Sequence, residues 1–186
     1  MRVISGIFKG RSIEYIKNSN TRPLKDNVRE NIFNILTHSG TYKVNIENSN
    51  ILDLYSGIGS FGIECMSRGA EKITFVDKDI NATNILKKNL IKLSIMDKTK
   101  IYNSKIEDFL FSDFKEKFDI FFLDPPFKDL EFLENLKEIQ KKKIFKKNHI
   151  VIIHREIKSK DNFEDILQTT ETKKYGRSKI FFSVFK

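Results

Sequence analysis

A single cysteine, Cys65, leaves the chain no internal disulfide and no cysteine-based metal site. Tryptophan is absent, and proline occurs only three times, twice as the adjacent pair Pro125-Pro126. No apolar run approaches the ~20 residues of a membrane span, and the opening residues lack the apolar core of a secretory signal. A cytoplasmic monomer with no metal and no membrane contact is therefore expected. Acids are the minority charge, 25 Asp and Glu against 34 Lys and Arg, for a net charge of +9. That excess suits a polyanionic partner. A compositional bias toward Lys, Asn, Ile and Phe produces the same balance, so placement of the basic residues has to decide.

What the chain does have is a pattern of one compact α/β unit. Its 186 residues, 39% of them hydrophobic, fit a single domain with a small appendage. Arg2 to Ile16 reads as a short hairpin with a basic turn at Lys9-Gly10-Arg11. A polar loop containing Arg22-Pro23 follows, and Asp26 or Asn27 can then cap a helix reaching about His38. Residues 40–49 look like a linker, giving a basic appendage over 1–45 and a main domain over 46–186. In the main domain, strands are predicted near 51–55, 72–77, 99–103, 118–124 and 148–154. Helices are predicted near 60–68, 79–93 and 129–143, with a weaker one at 106–114 and a last short one at 162–167. Two further strands, 169–175 and 179–185, flank Gly176-Arg177-Ser178 as a hairpin. Continuous apolar runs at Ile120–Leu123 and Ile150–Ile153 are those of parallel strands buried on both faces. The implied fold is an open, mostly parallel sheet with helices on both sides, its ligands held at the carboxyl ends of the strands.

The organising stretch is Asp53-Leu54-Tyr55-Ser56-Gly57-Ile58-Gly59-Ser60-Phe61-Gly62, a strand running through a glycine turn into a helix. Gly-x-Gly-x-x-Gly alone also serves dinucleotides, whose pyrophosphate sits over the helix N-terminus. Asp53 argues against that ligand, because a carboxylate repels phosphate but attracts the sulfonium and ammonium of S-adenosylmethionine. The bland reading of Asp53 is a brace for the turn. Asp77 closes the second strand 20 positions after Gly57, where an acid can accept ribose hydroxyls. Asp79 is its rival, though better placed to cap the next helix. After the third strand, Asn103-Ser104-Lys105-Ile106-Glu107-Asp108 faces the expected adenine edge, with Lys105 and Ile106 nearest to it.

Asp124-Pro125-Pro126-Phe127 directly follows the apolar fourth strand. Its two prolines stiffen the turn and leave carbonyl oxygens without competing N–H groups. With a carboxylate and an aromatic face beside them, these residues suit a planar base bearing an exocyclic amine. The oxygens accept the amine hydrogens while the ring stacks on Phe127, and transfer then needs mainly positioning. Such a base must be unpaired or flipped out. Arg2, Lys9, Arg11, Arg22, Lys25 and Arg29 could hold the flanking phosphates.

Taken together, these residues resemble the RsmD family of bacterial 16S ribosomal RNA guanine-N2 methyltransferases over nearly the whole chain. The marks are Met1-Arg2-Val3-Ile4-Ser5-Gly6 with Gly10-Arg11, Arg22-Pro23 with Val28-Arg29-Glu30 and Ile32-Phe33-Asn34, and Asp53–Gly59. Ser67-Arg68-Gly69-Ala70, Asp124-Pro125-Pro126-Phe127 and Tyr175-Gly176 complete them. The resemblance implies a class I, Rossmann-like S-adenosylmethionine-dependent methyltransferase fold, with seven strands and the last antiparallel. It implies a guanine of 16S rRNA as substrate, within the small subunit or its assembly intermediate, and a role for Arg22 and Arg29 toward RNA. The chain departs from the pattern at Lys105, where an acid is common, and at Leu24 and Asn27. The alternatives are an adenine-N6 methyltransferase on DNA or RNA, a non-catalytic ribosome-assembly factor, and an NAD-dependent dehydrogenase.

Overall fold

The computed structural model describes residues 1–15, 24–38, 40–112 and 115–186. Seven strands form one sheet in the order β3-β2-β1-β4-β5-β7-β6. In chain order the strands are β1 (Asn50–Leu54), β2 (Lys72–Asp77), β3 (Thr99–Asn103), β4 (Phe118–Leu123), β5 (Phe145–Glu156), β6 (Leu167–Tyr175) and β7 (Ser178–Phe185). The first five are parallel, and β7 runs antiparallel to both β5 and β6. This is the class I methyltransferase arrangement expected from the sequence.

The helices are α1 (Asp26–His38), α2 (Ser60–Ser67), α3 (Ile80–Lys92), α4 (Ile106–Phe111) and α5 (Phe132–Lys142). Alternate residues of the central strands feed two separate cores. Ile51, Ile120 and Ile150 pack with α1, α2 and α3, whereas Leu52, Phe121 and Val151 pack with α4 and α5. Strands buried on both faces are apolar at every position for that reason. Phe61 of α2 stacks between Phe33 of α1 and Phe122 of β4, at centroid distances of 5.2 and 4.1 Å. Losing such a ring to alanine costs about 3–5 kcal/mol.

The N-terminal segment is seated on α2 by the fully buried Glu64 carboxylate. Its two oxygens accept the Ile4 and Ser5 amides at 2.7 and 2.9 Å, and Arg68 completes the ion pair at 2.9 Å. The expected hairpin is present as a single antiparallel bridge, Arg2 to Ser12, flanked by backbone hydrogen bonds from the Val3, Gly10 and Ile13 amides to the Arg11, Val3 and Met1 carbonyls, with no strand among its described residues. Val3, Ile13, Val28 and Phe33 lie in the same apolar cluster as Ile51 and Ile150. Residues 40–49 form no helix or strand, yet Val44 and Ile46 drop into that core.

One predicted helix is overturned. Residues 162–167 make a single turn, in which the Ile166 and Leu167 amides both reach the Phe163 carbonyl, at 3.0 and 2.8 Å. Leu167 then enters β6 opposite Phe185. Pairing with β7 satisfies the backbone that a second helical turn would have needed. The weak helix at 106–114 ends at Phe111, and its expected last two residues lie outside those described.

Candidate active site

The carboxyl ends of β1, β2, β4 and β5 open into a cavity of about 850 Å³. Strand order reverses between β1 and β4, so the cavity lies at the switch point where such sheets bind ligands. Asp53, Tyr55, Gly57, Asp77, Lys105, Ile106, Asp124, Pro125, Pro126 and Phe127 all line it. Of the expected cofactor residues, Gly59 alone stays off the wall. It precedes α2 with φ of 78°, and a side chain there would run into Leu86 and Phe75. Three residues on, a Cβ at Gly62 would collide with Phe75. The second and third glycines thus bring α2 close to the sheet rather than touch a ligand.

At one end of the cavity stands Asp53, only 1% exposed. Its Oδ2 accepts the Gly62 amide at 3.0 Å, and its Oδ1 is buried with no partner among the described residues. Burial pushes this carboxyl well above its ordinary value; the Gly62 amide opposes the rise, and the charges of Asp124 and Asp77 add to it. The Ser56 and Ser104 hydroxyls, also on the cavity wall, are buried and unpartnered too. Buried polar groups without partners are rare, and three on one wall mark a seat for a polar ligand. An acidic orphan suits a cation. The residues present therefore fit S-adenosylmethionine, whose ammonium and sulfonium answer the acids.

Tyr55 takes a φ of 57°, strained for a non-glycine residue, and its hydroxyl accepts the Asn135 amide at 3.1 Å. Asp77 accepts the Gly57 and Asp79 amides at 2.7 and 2.8 Å, which ties the glycine turn to the end of β2. Burial raises its carboxyl despite those bonds. Asp79 caps α3 through the Asn81 and Ala82 amides. Lys105 is exposed and Ile106 buried where α4 begins, and the next residue, Glu107, also lines the cavity. A carboxylate thus lines the cavity two positions beyond Lys105.

The other end is Asp-Pro-Pro-Phe. Beneath it lies Arg155 of β5, 1% exposed. Its Nη1 donates to the Pro126 carbonyl at 3.0 Å and more weakly to Pro125 at 3.4 Å. Its Nη2 donates to the carbonyls of Phe127 and Asp129 at 3.0 and 3.3 Å. Asp161 neutralises the guanidinium, which also lies 4.5 Å from the Phe132 ring centroid. One buried cation therefore fixes the whole turn and occupies its carbonyls, leaving Pro125 with only a long contact. Asp124 is held by His154, and Phe127 remains 42% exposed.

The family model described as "Conserved hypothetical protein 95" matches residues 1–184. The chain belongs to the RsmD family. Among its relatives, the Bacillus subtilis protein YlbH is 34% identical over 173 residues, 91% of each chain. Ribosomal RNA small subunit methyltransferase D of Haemophilus influenzae is 37% identical over 129 residues, 68% of this chain and 64% of that one. Its Buchnera aphidicola (subsp. Baizongia pistaciae) namesake is 34% identical over 156 residues, 84% of this chain and 76% of that one. The crystal structure of Haemophilus influenzae HI0767 superposes with a TM-score of 0.76 at 27% identity, covering 100% of this chain and 98% of that one.

Within this RsmD-family chain, the residues expected on RNA separate. Arg2, Lys9, Arg11 and Lys25 are exposed, and Lys25 also borders the cavity. Arg22 lies outside the described residues. Arg29 is not on the surface: it is fully buried, donating to the Arg2 carbonyl at 2.6 Å and to Asp26 at 3.0 Å. Burial lowers its pKa, with Glu64 and Asp26 opposing. It braces the N-terminal segment instead of meeting a phosphate. Sequence reasoning missed Glu107, His154, Arg155 and Ser178. Only the rule that ligands gather at strand ends could have flagged the polar His154-Arg155-Glu156 that closes the apolar run of β5.

Proposed function

We propose that the protein transfers a methyl group from S-adenosylmethionine to the N2 amine of a guanine in the 16S rRNA of the small ribosomal subunit. The observation that carries this is one cavity with an unpartnered buried acid at one end and Asp-Pro-Pro-Phe at the other. S-adenosylmethionine supplies an electrophilic methyl on a cationic sulfur; the remaining requirements fall on the chain. Asp53 neutralises the ligand's positive charge, Asp77 accepts ribose hydroxyls, and Glu107 accepts from the adenine amino group. Because Arg155 occupies the carbonyls of Pro126, Phe127 and Asp129, the acceptors left for a substrate amine are Asp124 and the Pro125 carbonyl. Two acceptors on one amine turn its lone pair toward the methyl, and the exposed Phe127 ring supports the base. A pre-positioned acceptor pair needs no strong base, since the nitrogen becomes acidic as its new bond forms.

The family relationship and the relatives named for small-subunit rRNA methylation favour ribosomal RNA as the substrate class. Exposed Arg2, Lys9, Arg11 and Lys25 supply cations for its backbone. The test is Asp124→Ala. Turnover should vanish while the affinity for S-adenosylmethionine changes little, since Asp124 serves the base. Equal loss of cofactor binding would reassign it.

A further inference from the structure

His154 stands at the carboxyl end of β5, next to Asp124 at the end of β4, because the register pairs Leu123 with Ile153. It is 7% exposed, and both ring nitrogens are engaged. Nδ1 lies 2.7 Å from Asp124 Oδ1, and Nε2 lies 2.9 Å from Ser178 Oγ on β7. The ring also meets Phe127 edge to face, with centroids 5.8 Å apart and planes at 79°. One imidazole therefore touches both the acid and the aromatic that the substrate base requires.

We propose that His154 is a positioning residue that fixes the Asp124 carboxylate for methyl transfer, with Ser178 setting its tautomer. This rests on the reading that Asp124 receives the substrate amine. In the proposed arrangement the ring is neutral with its proton on Nδ1, because an ionised carboxylate only accepts. Nε2 is then an acceptor, and the Ser178 hydroxyl donates to it. The chain of donors runs from Ser178 through His154 to Asp124 Oδ1, leaving Oδ2 for the amine. Without the ring, a carboxylate whose side chain is 25% exposed is free to rotate and take water. The edge-to-face contact adds a second constraint by stopping Phe127 from swinging into the space of the base. Ser178 follows the Tyr175-Gly176-Arg177 turn, so the β6–β7 hairpin is wired to the catalytic acid.

Three variants and one spectroscopic readout test this. His154→Ala should lower kcat by roughly 10- to 100-fold, the scale of a misplaced reacting group. The KM for small subunits and the Kd for S-adenosylmethionine should stay within about threefold, a smaller shift than the kcat loss. His154→Asn should recover most of the rate, because an amide N–H can replace the Nδ1 donor, and Ser178→Ala should show a loss of several-fold. Independently of turnover, 15N shifts of the wild-type ring should show Nδ1 protonated and Nε2 bare, a preference that relaxes in Ser178→Ala. An unchanged kcat in His154→Ala, an Asn variant no better than Ala, or the opposite tautomer overturns the proposal. Methylation of adenine by the wild type would refute the guanine assignment while leaving the role of His154 standing, because the same acid serves either amine.

Discussion

Arg155 and Asp161 meet through two hydrogen bonds, 2.7 and 3.1 Å long, directly beneath the Asp-Pro-Pro-Phe turn. The pair is almost entirely buried, with side chains 1% and 4% exposed. A buried ion pair is usually weak support for stability, but removing one partner leaves the other charge stranded. Here it would also leave four carbonyls without their donor.

Arg155→Ala is therefore expected to destabilise the protein by about 3–5 kcal/mol. Chemical denaturation checks this, and a cost under about 1 kcal/mol, the scale of an exposed pair, would contradict it. The pH dependence has a definite sign. Burial raises the Asp161 carboxyl, but the hydrogen bonds from Arg155 and the charges of Arg155 and Lys179 outweigh it, holding it below its ordinary value. Its contribution is complete above about pH 4, the unfolded value, and is lost as pH falls through the lower folded value. Asp161→Asn should flatten the acid limb of the stability profile.

Asp53 works in the opposite sense. Its folded carboxyl is raised by burial, so the native state holds the proton more tightly than the unfolded chain. Its contribution is complete below about pH 4 and declines as pH rises through the higher folded value. Asp53→Asn should raise the melting temperature of the ligand-free protein at neutral pH while weakening S-adenosylmethionine about tenfold or more, ~1.4 kcal/mol. Thermal melting and titration calorimetry read the two effects separately. A variant that binds as well as the wild type would remove Asp53 from the cofactor site.

Glu107 lines the cavity beside Ile106, and we propose that it accepts from the adenine amino group. Exchanging it for alanine should weaken S-adenosylmethionine roughly tenfold, the loss of one charge-assisted hydrogen bond. S-adenosylmethionine analogues lacking the adenine amino group should bind both proteins alike. Continued discrimination by Glu107→Ala would place the amino group elsewhere.

Arg29 and Arg11 should behave differently. Arg29→Ala is expected to cost stability, because the bonds to the Arg2 carbonyl and Asp26 disappear, with no change in the salt dependence of RNA binding. Arg11→Ala should leave stability alone and lower the slope of log affinity against log salt by about 0.7–0.9. Denaturation curves and filter binding across salt concentrations distinguish them. The reverse pattern would put Arg29 on the RNA.

The fold was legible because its strands are extreme: Ile120–Leu123 and Ile150–Ile153 are buried on both faces, and composition alone marks them. Asp53 and Asp124 drew notice because each stands at a strand end leading into a glycine or proline turn, and Asp77 because it closes β2 20 positions after Gly57. Residues that act across the sheet were not. Glu64 lies 60 positions from Ile4, so nothing local announced that it would take the hairpin's amides. Arg155 and His154 sit in a strand whose apolar run hides them, and their partners are about 30 positions away. Arg29 looked like a surface cation because a helix stripe does not reveal which of its edges another segment will cover. Short-range pattern finds strand ends, whereas the supports beneath them come from tertiary pairing.

The most direct test supplies labelled S-adenosylmethionine and the wild-type protein to small ribosomal subunits lacking the modification, then digests the RNA to nucleosides. Label in N2-methylguanosine is the expected result. Label in N6-methyladenosine, or none while the cofactor still binds, would contradict the account.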